Sequence, residues 1–255
     1  MADGCSGVAS DTTQVKISII QFNSPAGFAD MKKYALIVAG GTGLRMNTTV
    51  PKQFLLLRGR PVLWHTLTAF LTAFDDLQLV LVLPATHLET GQSIIANLPE
   101  PQRIRITAGG ETRFQSVKNG LKLVENESVV FVHDGVRCLV TPALIKRCYE
   151  AALAKGNAVP ATLSVDSLRI ETGGQNMIID RNQVHIIQTP QVFLSTELVK
   201  AFEQEYDICF TDEASVVGKT GIKINLMEGE ENNIKITRPM DLLMAEKILA
   251  EREGA

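Results

Sequence analysis

The sequence predicts an α/β protein with a mostly parallel sheet, and three observations support this fold class. From Lys33 onward, short runs rich in Val, Ile and Leu alternate with segments of helical periodicity, which is typical of βαβ units. These runs are continuously apolar, as expected for strands covered by helices on both faces. Segment 166–181 departs from the alternation, because its two polar-apolar strands around a Gly-Gly pair predict a hairpin. We therefore expect one domain that carries a projecting β-arm.

Each element follows from a local pattern. The predicted strands are the apolar runs 34–39, 77–83, 103–107, 129–133 and 158–163. A first helix is expected to begin near Pro61, because apolar residues recur after it at helical spacing, and the apolar positions of 117–124 predict a second. Thr141 and Gly156 are the start and stop signals of a third helix, and a fourth is expected from Ser195.

The predicted β-arm, at about residues 164–184, has one apolar face. Its alternating apolar residues are Leu168, Ile170, Met177 and Ile179. This face would be exposed to water in a single chain, so we expect a homodimer formed partly by the arm. The alternative is a hairpin that folds back on its own domain.

Composition and charge exclude several classes of function. The 255 residues carry 25 basic and 28 acidic side chains, a net charge of −3 with no Lys/Arg run, so we expect neither nucleic acid nor an anionic membrane as partner. No apolar run approaches the roughly 20 residues that a transmembrane helix needs. The four cysteines have no paired spacing, which favours a reducing compartment and a cytoplasmic location. Residues 1–30 lack signal-peptide features and are interpreted as an N-terminal extension of the folded domain, 31–255.

The first predicted strand runs into a glycine-rich turn, 39–46, that is followed by two cations. Ligands of open α/β sheets bind at the carboxyl ends of strands, where glycines let backbone N–H groups approach phosphate oxygens. The turn matches neither the dinucleotide fingerprint nor the P-loop. Arg45 and Lys52 beside it suggest a triphosphate site, since attack at the α-phosphorus gathers negative charge that cations and Mg²⁺ stabilise. A tight turn with two solvated charges is the alternative.

Two further strand ends carry polar motifs. A second glycine turn, 108–116, opens a helix with Thr112 as its cap, although by itself it fits an ordinary strand-to-helix connection. His133-Asp134 ends the strand 129–133, and Arg137 follows three residues later. A carboxylate at this sheet edge can hold Mg²⁺, which prefers oxygen ligands and bridges protein to phosphate.

Other polar residues have simpler interpretations. The four histidines lack zinc-ligand spacing, and His133 is expected to orient the Asp134 loop instead of acting as a base. Asp212 and Glu213 are expected to supply the negative first turn of a helix, with a metal-binding pair as the alternative. Lys235 precedes a predicted helix start at 237–239, where we expect a strand end to meet the site.

Together these motifs resemble the 2-C-methyl-D-erythritol 4-phosphate cytidylyltransferase family over nearly all of residues 32–250. The matching motifs, in chain order, are Ala39-Gly40-Gly41-x-Gly43-x-Arg45-Met46, Pro51-Lys52-Gln53, Gly109-Gly110-x-x-Arg113-x-x-Ser116-Val117, His133-Asp134, Asp180-Arg181, Thr189-Pro190-Gln191, Thr211-Asp212-Glu213-Ala214 and Asn233-Ile234-Lys235-Ile236-Thr237. The resemblance implies a Rossmann-like, three-layer nucleotidyltransferase fold and a homodimer with interlocking β-arms. It also implies transfer of a cytidylyl group from CTP to 2-C-methyl-D-erythritol 4-phosphate in the non-mevalonate isoprenoid pathway. The implied products are 4-diphosphocytidyl-2-C-methyl-D-erythritol and pyrophosphate.

The resemblance further implies roles for individual residues. Arg45 and Lys52 would stabilise the transition state, while Arg181, supplied across the dimer interface, and Lys235 would position the acceptor phosphate. A divalent cation, Mg²⁺ or another, would be held with the help of Asp134. The implied substrate contacts are Gly40, Gly41, Gly43 and Gly135 for ribose and triphosphate, Gly110, Glu111 and Ser116 for cytosine, Thr189 and Thr211 for the acceptor, and Asp134, Arg137 and Ser167.

The chain also departs from the family pattern. Residues 135–138 are Gly-Val-Arg-Cys where the family commonly has Ala-Ala-Arg-Pro, and Glu111 stands where aspartate is common. Ser167 replaces a frequent threonine and keeps its hydroxyl. Two alternatives stay open: a ribitol 5-phosphate cytidylyltransferase, which differs chiefly in the acceptor pocket, and a nucleotide-binding module without catalysis.

Overall fold

The computed structural model describes residues 31–41, 46 and 50–254, and their α/β fold confirms the predicted class. The extension 1–30, Gly43 and Arg45 therefore lie outside the described residues. The strands are β1 (Lys32–Val38), β2 (Leu56–Leu57), β3 (Arg60–Pro61), β4 (Gln78–Leu83), β5 (Ile104–Ala108), β6 (Ser128–Asp134), β7 (Asn157–Leu163), β8 (Leu168–Thr172), β9 (Gln175–Ile179), β10 (His185–Ile187), β11 (Gln191–Leu194) and β12 (Leu226–Glu228). The helices are α1 (Val62–Ala73), α2 (Leu88–Ile95), α3 (Arg113–Leu121), α4 (Pro142–Lys155), α5 (Ser195–Ala201), α6 (Glu213–Gly218) and α7 (Pro239–Glu253).

The central sheet has the strand order β10-β7-β11-β6-β1-β4-β5, with β12 paired to β7. Strands β5, β4, β1 and β6 run parallel, whereas β11 pairs antiparallel with both β6 and β7. The carboxyl ends of β1, β4, β5 and β6 therefore meet at one edge. This is the edge at which the glycine turns and Asp134 were expected to lie together.

Helices cover both faces of the sheet, which makes the predicted three-layer arrangement. Helices α1, α2 and α4 pack on one face, and α3, α5 and α6 on the other. Strand β1 shows why its sequence is continuously apolar: Ala35 and Ile37 belong to the first core and Tyr34 and Leu36 to the second, all 0–1% exposed. No helix in the described part of the chain is both long and apolar enough to span a membrane.

Helix boundaries follow the predicted signals with one exception. The Thr141 hydroxyl accepts a hydrogen bond from the Leu144 N–H at 3.0 Å, and Gly156, at φ +88°, ends α4. The helix expected over 117–124 ends at Leu121, so the expectation for Val124 was wrong. The Val124 N–H donates to the Leu121 carbonyl, three residues back, and this tighter turn closes the helix early.

The β-arm is a two-stranded sheet of β8 and β9, as predicted, with Gly173 and Gly174 in the turn at φ +61° and +78°. Its register sets Leu168 opposite Ile179 and Ile170 opposite Met177, so the four apolar side chains share one face. Ile170 is 46% and Met177 59% exposed. The domain of the same chain therefore leaves this face largely uncovered.

Candidate active site

Two adjoining cavities occupy the carboxyl edge of the sheet. The first, of about 240 Å³, lies between the glycine turns and is lined by Val38, Ala39, Gly40, Gly41, Lys52, Gln53, Gly110, Glu111, Thr112, Arg113, Ser116, Asp134, Val136 and Lys235. The second, of about 170 Å³, is lined by Arg113, Asp134, Arg137, Ile187, Gln188, Thr189, Gln191, Thr211, Asp212 and Lys235. Arg113, Asp134 and Lys235 belong to both walls, so the two cavities meet at a cluster of charges.

The two glycine turns converge on Ser116. Its hydroxyl donates to the Thr112 carbonyl at 2.9 Å and accepts from the Gly110 N–H at 3.1 Å. A Cβ on Gly109 would lie 2.7 Å from the Ser116 Oγ, and one on Gly40 would lie 3.9 Å from it. The close approach at Gly109 requires glycine, because any side chain there would displace the serine.

Lys52 and Gln53 fix the first glycine turn from the other side. Both lie in a short 3₁₀ helix, Lys52–Phe54, and are 8% and 1% exposed. The Gln53 amide donates from Nε2 to the Ala39 carbonyl at 2.9 Å. A Cβ on Gly41 would lie 3.7 Å from the Lys52 Cε, so the lysine stem runs along the turn. The structure thus brings Lys52 to the cavity as predicted, while Gln53 is a contributor that motif reasoning left without a role.

Asp134, at the end of β6, is the carboxylate on which the cations converge. Its Oδ2 lies 2.9 Å from the Lys235 Nζ and 3.6 Å from the Arg137 Nε, and its Oδ1 lies 3.5 Å from an Arg113 Nη2. Burial alone would raise the pKa of this carboxyl, but the three cations hold it well below its usual range. Asp134 is therefore ionised at neutral pH and partly neutralises the three cations around it.

His133 and Thr189 hold the Asp134 loop in place. The His133 Nε2 donates to the Arg137 carbonyl at 3.1 Å, since a carbonyl can only accept, and its Nδ1 then accepts from the Thr189 Oγ1 at 2.9 Å. The same hydroxyl accepts from the Asp134 N–H at 3.1 Å. Complete burial lowers the pKa of His133 to about 3, so the ring is neutral. Both ring nitrogens are thus engaged in holding the loop, which agrees with the expectation that His133 orients it.

Gly135 contributes close packing at the same strand end. Its N–H donates to the Val38 carbonyl at 2.8 Å, and its carbonyl accepts from the Thr66 hydroxyl at 3.0 Å. A Cβ on Gly135 would lie 2.7 Å from the Ala39 Cβ. Both backbone groups are therefore satisfied inside the fold, where the N–H joins the end of β6 to β1 and the carbonyl joins it to α1.

Arg113 and Glu213 form a buried ion pair that the sequence analysis did not assign to the site. Arg113 begins α3, and its Nη2 lies 2.9 Å from Oε2 of Glu213 while Nη1 contacts the other oxygen. Glu213 begins α6, which agrees with its predicted place in a first helical turn. Its side chain is 0% exposed, which that prediction did not include. Burial raises the pKa of Glu213, against the opposing effect of Arg113. Arg113 lies three residues after Gly110, and this spacing is the sequence signal that could have identified the Arg113–Glu213 ion pair.

The remaining predicted residues divide into those at the cavities and those on the arm. Lys235 lies in an irregular segment before α7, so the expected strand end was wrong. Backbone contacts hold that segment, with the Ile236 N–H donating to the Val136 carbonyl at 2.9 Å. Ser167 and Arg181 are exposed at the base of the arm and belong to neither cavity wall, and an Arg181 Nη1 donates to the Val165 carbonyl at 3.0 Å.

The predicted residues that the structure brings to the two cavities are Gly40, Gly41, Lys52, Gly110, Glu111, Ser116, Asp134, Arg137, Thr189, Thr211 and Lys235. Four lysine and arginine side chains line the two cavities, against the three carboxylates of Glu111, Asp134 and Asp212. Such a site suits a ligand rich in phosphate, with the charge cluster between the two cavities as the place of reaction.

Comparison with known proteins identifies relatives over most of the chain. A sequence model of the 2-C-methyl-D-erythritol 4-phosphate cytidylyltransferase family matches residues 34–251. The protein of that name from Bacteroides thetaiotaomicron is 44% identical over 219 residues, which cover 86% of this chain and 100% of the relative. A crystal structure of 4-diphosphocytidyl-2C-methyl-D-erythritol synthase from Anaerococcus prevotii matches with a TM-score of 0.75 at 27% identity, covering 86% of this chain and 99% of that one. The 2-C-methyl-D-erythritol 4-phosphate cytidylyltransferase structure from Thermus thermophilus matches with a TM-score of 0.66 at 30% identity, covering 86% and 100%.

Proposed function

Because the chain belongs to the 2-C-methyl-D-erythritol 4-phosphate cytidylyltransferase family, we propose that it transfers the cytidylyl group of CTP to 2-C-methyl-D-erythritol 4-phosphate. The products are 4-diphosphocytidyl-2-C-methyl-D-erythritol and pyrophosphate, and the step belongs to isoprenoid biosynthesis. The observation that carries the proposal is the pair of cavities that share Arg113, Asp134 and Lys235. Two phosphorylated substrates bound side by side would meet at these charges.

The reaction needs orientation and charge stabilisation more than it needs acid-base chemistry. An oxygen of the acceptor phosphate attacks the α-phosphorus of CTP, a new P–O bond forms, and the bond to the bridging oxygen breaks to release pyrophosphate. A phosphate monoester is already a competent nucleophile, so no covalent intermediate with the protein is required. We assign Lys52, together with Arg45, to the charge that grows on the α-phosphate oxygens. The buried position of Lys52 against the first glycine turn supports this role.

The two cavities are assigned to different substrates. The first would take CTP, with its triphosphate against Gly40 and Gly41 and its base near Gly110, Glu111 and Ser116. The second would take the acceptor, with Lys235, and Arg181 from the arm of a second copy, on its phosphate and Thr211 on its hydroxyls. Thr189 would act on the acceptor through the Asp134 loop, because its hydroxyl already bonds to that loop.

Asp134 is also the residue that would hold a divalent cation, Mg²⁺ or another. The donor set fits, because Mg²⁺ in nucleotide sites is usually bound by one or two carboxylates and otherwise by substrate phosphates and water. Asp134 faces both cavities and is kept ionised by its neighbours. A bound cation there would supply neutralisation of the triphosphate charge.

We further propose that the active unit is a homodimer joined through the β-arm. Two observations support it: the apolar face of the arm is uncovered, and two predicted site residues that line neither cavity, Ser167 and Arg181, both lie on the arm. In a dimer the arm would carry them to the partner's acceptor cavity. Changing Met177, 59% exposed on that face, to Asp should give a monomer by light scattering and abolish turnover, whereas Asn176→Asp on the opposite face should stay dimeric and active. A monomeric wild-type protein with full activity would refute this assignment.

A cytoplasmic location is proposed on the state of the thiols. Within the part of the chain that the structure describes, Cys138, Cys148 and Cys209 are free, and the first two are buried. Burial raises the pKa of Cys138 and of Cys148 to about 12, so both are inert neutral thiols. Three unpaired cysteines suit a reducing compartment.

Pyrophosphate release with Mg-CTP tests the proposed activity. The three arms of the experiment are 2-C-methyl-D-erythritol 4-phosphate, ribitol 5-phosphate and no acceptor. We expect release that depends on the first acceptor. Preference for ribitol 5-phosphate would replace the proposed acceptor, and no release with either acceptor would refute the proposed reaction.

A further inference from the structure

Arg113 stands between two carboxylates, only one of which faces the cavities. Its guanidinium lines both cavity walls and contacts Glu213 on the buried side and Asp134 on the open side. Both carboxylate oxygens of Glu213 contact the two Nη atoms, whereas the contact to Asp134 is a single one at 3.5 Å. Glu213 therefore has the bidentate pair, and Asp134 has only the weaker, longer approach.

Because Glu213 engages both Nη atoms of Arg113, Asp134 remains available to a cation other than Arg113. A guanidinium presents its donors in a fixed fork, so engagement of both Nη atoms by Glu213 prevents the same geometry with Asp134. The short contact of Asp134, at 2.9 Å, goes instead to Lys235. Asp134 thus has its shortest contact with Lys235, while Arg113 approaches it only to 3.5 Å.

The carboxylate of Glu213 is mounted rigidly. Asp212 caps α6 by accepting from the Ser215 N–H at 2.8 Å, and its other oxygen accepts from the Gln191 Nε2 at 2.9 Å. The Gln191 Oε1 accepts in turn from the Ala214 N–H at 2.8 Å. Gln191 belongs to β11 in the central sheet, so the first turn of α6 is tied to the sheet on both sides of Glu213.

Stability alone does not account for this pair. Glu213 is 0% and Arg113 26% exposed, so the pair is expensive to desolvate, and apolar residues of similar size commonly stabilise a fold as well or better. Three cations, Arg113, Arg137 and Lys235, contact Asp134, and without Glu213 the carboxylate in contact with Arg113 would be Asp134. Closure of Arg113 on Asp134 would then weaken the contact between Asp134 and Lys235, the residue assigned to the acceptor phosphate.

We propose that Glu213 is a positioning residue for cytidylyl transfer, which acts by holding the Arg113 guanidinium away from Asp134. The proposal rests on the proposed function. Glu213 touches no substrate itself; it sets the arrangement of Asp134 and Lys235 at the junction of the cavities.

The test is a double-mutant cycle with Glu213→Gln and Arg113→Gln. Glutamine keeps the size of Glu213 and one accepting oxygen, so the variant should fold, but it lacks the charge that holds the guanidinium. We expect kcat/KM for the acceptor to fall at least tenfold in E213Q, and E213Q to have less than a threefold effect when Arg113 is already glutamine. A loss in E213Q below threefold, or a full loss in the R113Q background, would overturn the proposal.

Two further measurements separate positioning from stability and from failure of the proposed function. A crystal structure of E213Q should show the Arg113–Asp134 contact shortened from 3.5 Å to below 3 Å, a result that does not depend on turnover; an unchanged distance would refute the proposal. Glu100→Gln is the matched control, because Glu100 pairs with the buried Arg103 away from both cavities. E100Q should leave kcat/KM unchanged. A loss in E100Q equal to that in E213Q would mean that breaking any Arg–Glu pair lowers kcat/KM, and it would overturn the proposal.

Discussion

Replacing Lys235 by glutamine should damage use of the acceptor and spare the binding of CTP. The substitution keeps most of the aliphatic stem and removes the ammonium that lies 2.9 Å from Asp134. Arg113 and Arg137 remain beside that carboxylate, so it is not left unpaired. A hydrogen bond to a charged group contributes about 1.5 to 3 kcal/mol. At about 1.4 kcal/mol per factor of ten, kcat/KM for the acceptor should fall about 10- to 150-fold.

The assay measures pyrophosphate release at saturating CTP while the acceptor concentration is varied, and titration calorimetry gives the dissociation constant of CTP. We expect the CTP constant to change less than about threefold, because the ammonium is assigned to the acceptor phosphate. Lys247→Gln is the matched control, since Lys247 is an exposed lysine that pairs with Glu251 on α7. The reasoning would be refuted by a loss of CTP affinity as large as the loss in kcat/KM, or by equal effects of the two lysine variants.

Three further predictions concern stability and the nucleotide cavity. His133 has a pKa of about 3 when folded and about 6.5 when unfolded, so between these values the unfolded state binds a proton that the folded state does not. The free energy of unfolding therefore falls as the pH drops from about 6.5 towards 3. Urea unfolding at pH 6 and pH 4.5 should show a loss of about 2 kcal/mol that is absent in His133→Asn; equal losses would contradict the buried neutral ring. In Gly110→Ala the new Cβ would meet the Gln115 Cβ at 2.5 Å, and such overpacking costs about 1 to 3 kcal/mol. Because Gly110 lines the first cavity, the KM for CTP should rise at least fivefold. Gly218→Ala, whose Cβ has only an ordinary contact at 3.6 Å, should not raise it. Lys52→Ala should lower kcat at least 100-fold with CTP affinity within tenfold, and parallel losses would argue against a role in the transition state.

Much of the fold could be predicted because its signals are local. Continuous apolar runs gave the buried strands of the sheet, and Thr141 and Gly156 marked the ends of α4 correctly. The glycine pair at 173–174 predicted the β-arm turn, since consecutive positive φ angles are easiest for glycine. The end of α3 could not be predicted, because tertiary packing of Val124 beyond the helix outweighs the continuing apolar period.

The site was harder to predict wherever long-range pairing decides a residue's role. Arg113 and Glu213 are 100 positions apart, and each has an adequate local explanation as a helix-start residue. Gln53 contacts Ala39 only because the chain returns to the first glycine turn. Lys235 was expected at a strand end, but backbone bonds to the loop after β6 fix it in an irregular segment. Motif order revealed which residues belong together, and the structure was needed to see which side chains touch.

The most direct test of cytidylyl transfer follows the label from two forms of CTP. With 2-C-methyl-D-erythritol 4-phosphate as acceptor, ³²P at the α-position should appear in the organic diphosphate product, and ³²P at the γ-position only in pyrophosphate. Label from the γ-position in the organic product would show phosphoryl transfer instead. Label from the α-position in CMP alone would show hydrolysis, and either result would contradict the proposed reaction at Asp134, Lys52 and Lys235.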